Sequence, residues 1–528
     1  MMKALLRAGL AAAALLSPSL ASASWNVATS KHFVVYAEGS ESAAREAAVR
    51  LEKFQVALRY LSGATAPSSS VKVTVFLVSD LAALEATRPF GGGGIAGYYN
   101  TTLRGPFTIM SRNKIKGSRG SRGEVFVADM DPQQILFHEL THHFMYQYFP
   151  AAYPTWYSEG FAEYLGALEI GSGDTVIVGN RVESRYSSFG RNDWLPVRQL
   201  VAARNYRDVK GSTHLLYAEG WLLVHYLNHA GVRQGQLKAY LDKVNQGMAF
   251  GQAGQQAFGD LDKLDGELRS YSGKFKLNAV ALPFKKLDVG SITARKANRA
   301  EEDMLVLEMK LFAGIPERET DAFADRVTGA AARHSTNPYA LRLATEALRL
   351  AGRTDRAIEF ADRWVAAAPT DGLAVAARAE LTVDQLERAK AKGAAEWTAV
   401  RKLYAEAAKL SPDEPSILYR FYTSYLREGR TPPESAQNAL YRAFELMPQE
   451  DELRGQLAAD FEMRDMLDEA IATIRPAAFV SIDPVDLSDG EKKERETDKL
   501  RYKLAGTTDG ETARERLNRL EAKKRKSK

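Results

Sequence analysis

The chain has 528 residues, of which 45% are hydrophobic and 26% charged; this is the balance of a globular protein with two or more domains and excludes disordered, collagenous and coiled-coil classes. The formal net charge of +5 sits at the ends, on Lys3 and Arg7 and in 14 basic against 10 acidic residues from Asp486 onward, so the body is near neutral and offers no nucleic-acid face. The absence of cysteine excludes disulfides, thiol nucleophiles, iron–sulfur clusters and thiolate zinc sites, which leaves any metal to His and carboxylate donors.

Residues 1–7 are short and basic, residues 8–16 are apolar and Ala-rich, and Pro18 precedes Ala21-Ser22-Ala23. This three-part pattern predicts a secretory signal peptide over residues 1–23, with cleavage after Ala23. Its apolar core is well short of the ~20 residues that span a bilayer. The mature chain is therefore expected to be periplasmic or secreted, without stable membrane insertion. Phe33-Val34-Val35-Tyr36 predicts a strand, and residues 42–61 a helix with apolar positions at Ala47, Leu51, Phe54, Leu58 and Leu61. Residues 71–78 alternate and are β-branched, as in a core strand. Gly92-x-Gly94-x-x-Gly97 matches a dinucleotide fingerprint in form, but Tyr98 to Thr102 reads as strand and turn rather than helix, which favours a hairpin or lid. Residues 107–110 and 124–127 predict further strands, and helices follow. Strands first and helices later predict an α+β domain over residues 24–280.

Residues 281–300 turn basic and non-periodic, as a connector does, and residues 301–485 read as nearly all helix. Prolines that end helices recur at Pro369, Pro412, Pro448 and Pro476, at intervals of 43, 36 and 28 residues, around the ~34-residue period of tetratricopeptide repeats. Ala436, Leu440 and Ala443 stand 12, 8 and 5 residues before Pro448; Tyr404 and Ala407 repeat the last two offsets before Pro412, and Ala357 the first before Pro369. The segment resembles degenerate tetratricopeptide repeats, which implies a surface for a protein partner. Residues 486–528 are charge-dense and are expected to be a solvated basic tail.

The sequence that carries chemistry is His138-Glu139-Leu140-Thr141-His142. Asp131 followed by Pro132 makes a helix start, and Ile135, Leu136, Leu140 and Phe144 give it an apolar stripe. On a helix, positions four apart differ by only about 40° around the axis, so His138 and His142 can converge on one metal ion, with Glu139 placed to touch water rather than metal. His143 points about 100° away and reads as a structural residue or one that supports a ligand, not as a fourth ligand. A catalytic zinc needs a third protein ligand. Trp156-Tyr157-Ser158-Glu159-Gly160-Phe161-Ala162-Glu163-Tyr164 opens a second helix after Pro150 and Pro154, and Glu159 in its first turn supplies that ligand.

With these residues in place, the chain resembles the gluzincins, zinc metallopeptidases of the thermolysin and aminopeptidase N type, and especially peptidase MA-like domains. The resemblance implies an α+β gluzincin-like metallopeptidase domain followed by an all-α helical repeat domain. It implies one zinc per chain, bound by His138, His142 and Glu159, with Glu139 as general base and Glu163 supporting a ligand histidine. A protein or peptide would be the substrate. Gluzincins also supply a Tyr or His to the transition-state oxyanion. His214 and Tyr217 lie on one helix face, and Tyr217 is the preferred catalytic candidate. The motif-to-Glu159 spacing of 16 residues is tighter than in aminopeptidase N, and Gly105 to Met110 lacks the acid with which that family grips an amino terminus. His225 and His229 are also four apart but have no intervening Glu at the second position, so they read as helix packing. The rival reading is a protein-interaction scaffold whose peptidase-like domain is inactive.

Overall fold

The computed structural model describes residues 24–79, 81–87, 97–114, 131–191, 193–209, 213–274, 277–284, 287–391, 394–480 and 511–527. The expected leader, the Gly91 to Gly94 loop and the strand at 124–127 fall outside these residues. Ser40 caps α1 (Glu41–Ser62) by accepting from Ala43 N–H, and Gly63 ends the helix in the left-handed region at φ 66°. The helix joins β2 (Phe33–Glu38) to β3 (Val73–Val78), and the two strands pair in parallel, as a crossover of this length allows. β1 (Trp25–Thr29) lies on the other side of β2. After α2 (Leu81–Glu85), β4 (Gly97–Thr102) and β5 (Gly105–Ser111) form a hairpin, with β5 parallel to β3.

The N-terminal region is thus α/β rather than α+β, because a helix already separates the two central strands in the chain. The full sheet order is β4-β5-β3-β2-β1-β9. Its last member, β9 (Thr293–Lys296), pairs antiparallel with β1. The stretch read as a connector therefore completes this sheet, and four exposed or half-exposed residues at its edge explain why no burial pattern announced it.

β3 is buried on both faces, as its run Val73-Thr74-Val75-Phe76-Leu77-Val78 allows. Val73, Val75 and Leu77 face α1 and α3 (Pro132–Tyr148), where the Phe54 and Phe137 rings stack at 4.0 Å. Phe76 and Val78 face the opposite way and meet Leu305, Met309 and Phe312 of α11 (Arg299–Ala313). The first helix of the C-terminal half thus covers one face of the N-terminal sheet.

Beyond α3 come α4 (Thr155–Gly166), β6 (Glu169–Ile170), β7 (Thr175–Val178), α5 (Glu183–Tyr186), α6 (Val197–Ala202), α7 (Thr213–His229), α8 (Gln236–Asn245), α9 (Phe250–Phe258), α10 (Leu261–Ser272) and β8 (Val280–Pro283). β6, β7 and β8 form a small second sheet. The C-terminal half pairs α13 (Pro338–Leu350) with α14 (Thr354–Ala367), α15 (Gly372–Arg388) with α16 (Ala394–Leu410), α17 (Pro415–Glu428) with α18 (Glu434–Leu446), and α19 (Asp451–Met463) with α20 (Leu467–Val480), following α12 (Thr320–Ala331). Successive pairs stack as a helical-repeat array. Ala357, Tyr404, Ala407, Ala436, Leu440 and Ala443 are all fully buried between the helices.

Two expectations are corrected here. Pro369, Pro412 and Pro448 follow helix ends, but Pro476 lies inside α20. The end of the tail is also not simply solvated. Thr512 and Glu515 cap α21 (Ala513–Lys526), which docks on α20 through Ala513, Leu517 and Leu520 at i, i+4, i+7 spacing, while Lys523 and Lys524 pair with Asp465 and Asp468. Among the described residues, no helix is long and apolar enough to cross a membrane.

Candidate metal centre

α3 begins as its sequence requires: the Asp131 carboxylate accepts from Gln133 N–H at 2.8 Å and Pro132 occupies the first turn. Leu136, Phe137, Leu140, Phe144 and Met145 face the core, so His138, Glu139 and His142 are left on the half-buried face. α4 crosses this face. Trp156, fully buried, donates to Tyr240 OH at 3.1 Å, and Thr155 donates to Arg204 O at 2.8 Å, which fixes the first turn and with it Glu159. Two glycines set how closely α4 approaches its neighbours. A Cβ on Gly160 would lie 2.2 Å from the Gly220 carbonyl carbon of α7, and one on Gly166 would lie 3.3 Å from His138 Cβ.

The three expected ligands meet. His138 Nε2 and His142 Nε2 are 3.2 Å apart, and Glu159 Oε2 lies 3.2 Å from the first and 3.6 Å from the second. Tetrahedral sites with ligand bonds of about 2.0–2.1 Å have donor–donor edges of about 3.3–3.4 Å, so the spacing fits one zinc-sized cation. Glu159 Oε2 is buried and faces only the two imidazole nitrogens, without a hydrogen bond of good geometry to either, an arrangement that a cation would complete. Without one, burial alone would lower the His138 imidazole, but hydrogen bonds and charge from Glu159 and Glu163 outweigh it and raise the group to about 10.

The surrounding groups orient these donors. His138 Nδ1 is 3.2 Å from Glu163 Oε1, which also accepts from Arg185 at 2.7 Å. Burial pushes Glu163 up, yet Arg185 and His138 prevail and bring it to about 2, so it stays a carboxylate. Ser158 Oγ lies 3.2 Å from His142 Nδ1. Glu159 Oε1 accepts from Tyr206 OH at 2.6 Å. Glu139 is not in the ligand cluster; its Oε2 accepts from Tyr99 N–H of β4 at 3.1 Å, and burial raises its carboxyl despite the nearby His138 and His142. His143 is buried and pairs with Tyr99 OH at 2.9 Å, which agrees with its structural reading. His225 binds Gly179 O and Tyr271 OH, and His229 binds Tyr164 OH, so both are packing residues.

Tyr217 stands beside the site without lining its cleft: its OH is 3.3 Å from Tyr206 OH, and its ring stacks 6.2 Å from that of His138 and 4.8 Å from the Arg185 guanidinium. Tyr206 and Arg185 were missed because they sit in a 3-10 turn and a four-residue helix, where no periodicity singles them out.

A cleft of about 510 Å³ opens beside the cluster. Tyr99, Glu139, His142, Glu159 and Tyr206 line one side, and Gln449, Asp451 and Arg454 of the repeat half line the other. The two halves are tied there: Thr101 donates to Gln449 O at 3.2 Å, Arg104 to Glu346 at 3.0 Å, and Ser69 to Leu446 O at 2.7 Å. Part of the repeat surface is therefore already occupied by the N-terminal half.

No protein-family model and no curated protein matches the chain. Among solved structures it is similar to a thermophilic TPR protein of Thermus thermophilus, at 19% identity over 35% of this chain and 94% of that one, with a TM-score of 0.30. It is also similar to the MamA RS-1 ArsTM double mutant, at 14% identity over 34% and 93%, with a TM-score of 0.25. The helical-repeat character of the C-terminal half rests on the helix pairing described above.

Proposed function

We propose that this protein is an exported zinc-dependent peptidase whose helical repeats hold a protein substrate or partner. The observation that carries the reading is the convergence of His138 Nε2, His142 Nε2 and the buried Glu159 Oε2 beside a cleft lined by Glu139. His138, His142 and Glu159 would hold the ion. Zinc, when bound, acts as a Lewis acid that lowers the pKa of water and polarises a carbonyl.

The chain's own residues do the rest. Glu139, raised by burial and anchored through Oε2, takes a proton from the attacking water and returns it to the leaving amine. Glu163 and Arg185 fix His138, and Ser158 orients His142. Tyr206 spends its one phenolic proton on Glu159 Oε1 and steadies that ligand, so Tyr217, whose OH lies 3.3 Å from Tyr206 OH, is the phenol left to donate to the oxyanion and must turn toward the cleft to do so. The implied reaction is amide hydrolysis.

The extent of the helical-repeat half favours a second reading, an interaction scaffold on an inactive peptidase-like domain. Metal content and casein hydrolysis separate the two. We expect about one zinc per chain in wild type and in Glu139→Gln, none in the His138→Ala, Glu159→Ala double variant, and cleavage by wild type alone. Casein cleaved equally well by Glu139→Gln would remove the general base from this mechanism. A folded wild type that takes up no zinc would leave the scaffold.

A further inference from the structure

The repeat half contributes a side chain to the cleft whose hydrogen-bonding capacity is unused. Gln449 lies in the turn between α18 and α19 and is only 8% exposed, yet both Oε1 and Nε2 lack any hydrogen-bond partner. It lines the same cleft as Glu139, His142 and Glu159. A buried carboxamide with neither end paired is rare, because each unmade bond leaves a desolvated polar atom. Such groups occur where a ligand supplies the missing partners.

The main chain around Gln449 is held firmly, so the side chain does not stay unpaired for want of order. Its carbonyl accepts from Thr101 of β4 at 3.2 Å. Glu450 caps α19 by accepting from Leu453 N–H at 2.8 Å. Arg454 donates to Pro448 O and, at 3.1 Å, to Thr473 O. The turn is therefore pinned on both sides of Gln449.

Resting on the peptidase reading above, we propose that Gln449 reads the main chain of the peptide in the cleft: its carbonyl oxygen accepts a substrate amide N–H and its NH2 donates to a substrate carbonyl. A carboxamide offers the same donor and acceptor as a peptide bond, so the two pair in a self-complementary way whichever way the amide is turned. Recognition of this kind is indifferent to side chains. It assigns to the repeat half one wall of the substrate site and favours extended peptide segments of varied sequence.

The test is isothermal titration of the zinc-loaded full-length protein with two probes: an alanine tripeptide ending in a hydroxamate, and acetohydroxamate, which carries the same metal-binding group without peptide bonds. Gln449→Glu, which loses the NH2 donor, should weaken the tripeptide hydroxamate about three- to tenfold, the value of one neutral hydrogen bond; Gln449→Leu, which loses donor and acceptor, should weaken it about ten- to a hundredfold, and both should leave acetohydroxamate unchanged. The Tm of Gln449→Leu should equal or exceed that of wild type, because an apolar side chain removes two unpaired polar atoms. Equal affinity of wild type and both variants for the tripeptide hydroxamate would overturn the proposal while the peptidase reading stands. Wild type that binds neither hydroxamate would overturn the metal site and the proposal with it. A Tm several degrees lower in both variants would make Gln449 a structural strut and overturn the proposal alone.

Discussion

Gly160→Ala sets two effects of opposite sign against each other. Replacing a glycine inside a helix gains up to about 1 kcal/mol in helix propensity. Against this, the new Cβ would lie 2.2 Å from the Gly220 carbonyl carbon and 2.4 Å from its oxygen, whereas carbon–carbon contacts settle near 3.5–4.0 Å. α4 and α7 would have to separate by more than about 1 Å. Overpacking costs about 1–3 kcal/mol, and here the obstacle is backbone with no rotamer to yield, so the upper end applies. The net loss is about 2 kcal/mol, or a Tm lower by about 4–8 °C for a cooperative unit of this size. Glu159 is the preceding residue, so the shift also moves its carboxylate from positions 3.2 and 3.6 Å from the two imidazoles, and zinc content should fall. Gly266 of α10 is the internal control, since nothing lies within 4 Å of its would-be Cβ; Gly266→Ala should raise the Tm. Thermal melts and metal analysis of the two variants decide the matter. If Gly160→Ala melted with Gly266→Ala and kept its zinc, close helix contact would not be what positions the ligand.

Three further outcomes follow from particular contacts. Tyr206→Phe removes the 2.6 Å donor to Glu159 Oε1 and should weaken zinc about 10- to 100-fold, measured by competition with a chromophoric chelator; unchanged affinity would remove Tyr206 from the site. Glu219, buried in α7, is raised to about 9 by burial despite its bond from Leu195 N–H. The folded state therefore keeps its proton where the unfolded state, near 4.5, has lost it, and stability falls as pH rises between those values by up to about 1.4 kcal/mol per unit. Glu219→Gln should gain on wild type in urea melts at pH 8 relative to pH 5, and a constant difference would refute the assignment. Leu520→Ala, at a fully buried position of α21, should cost about 2–5 kcal/mol and expose residues 513–526 to protease; wild-type resistance would mean that the helix is held otherwise.

The legible parts of this chain are those with a local pattern. The ligand helix was readable because Asp131-Pro132 and the apolar stripe are signals within one helix, and His138, His142 and Glu159 lie on two helices joined by a short link. The burial of Ala436, Leu440 and Ala443 was readable for the same reason. Long-range pairing was not: β9 joins β1 across more than 250 residues of chain and exposes most of its surface, so nothing in Thr293-Ala294-Arg295-Lys296 marks it. Tyr206, Arg185 and Gln449 share that obstacle. Each sits in a turn or a very short helix, and only tertiary structure brings it to the cluster. The tail misled through its charge, because three buried apolar positions, with the buried Arg516 bonded to Gly455 O, are enough to dock a helix that is otherwise mostly charged.

The repeat half does more than follow the N-terminal half in sequence. α11 covers Phe76 and Phe107 of the central sheet with Leu305, Met309 and Phe312, so an N-terminal fragment ending before it would expose an apolar face that must otherwise be buried. The β4–β5 hairpin is the mechanical link. Its Tyr99 N–H holds Glu139, its Thr101 holds Gln449, and its Arg104 holds Glu346. The Arg104 and Glu346 pair is partly exposed and contributes at most about 1 kcal/mol, so the stronger tie is Leu103, which packs with Val71 into the core of the last repeats. Any force on α17 to α20 that moves this core moves the hairpin, and the hairpin carries the hydrogen bond that anchors Glu139.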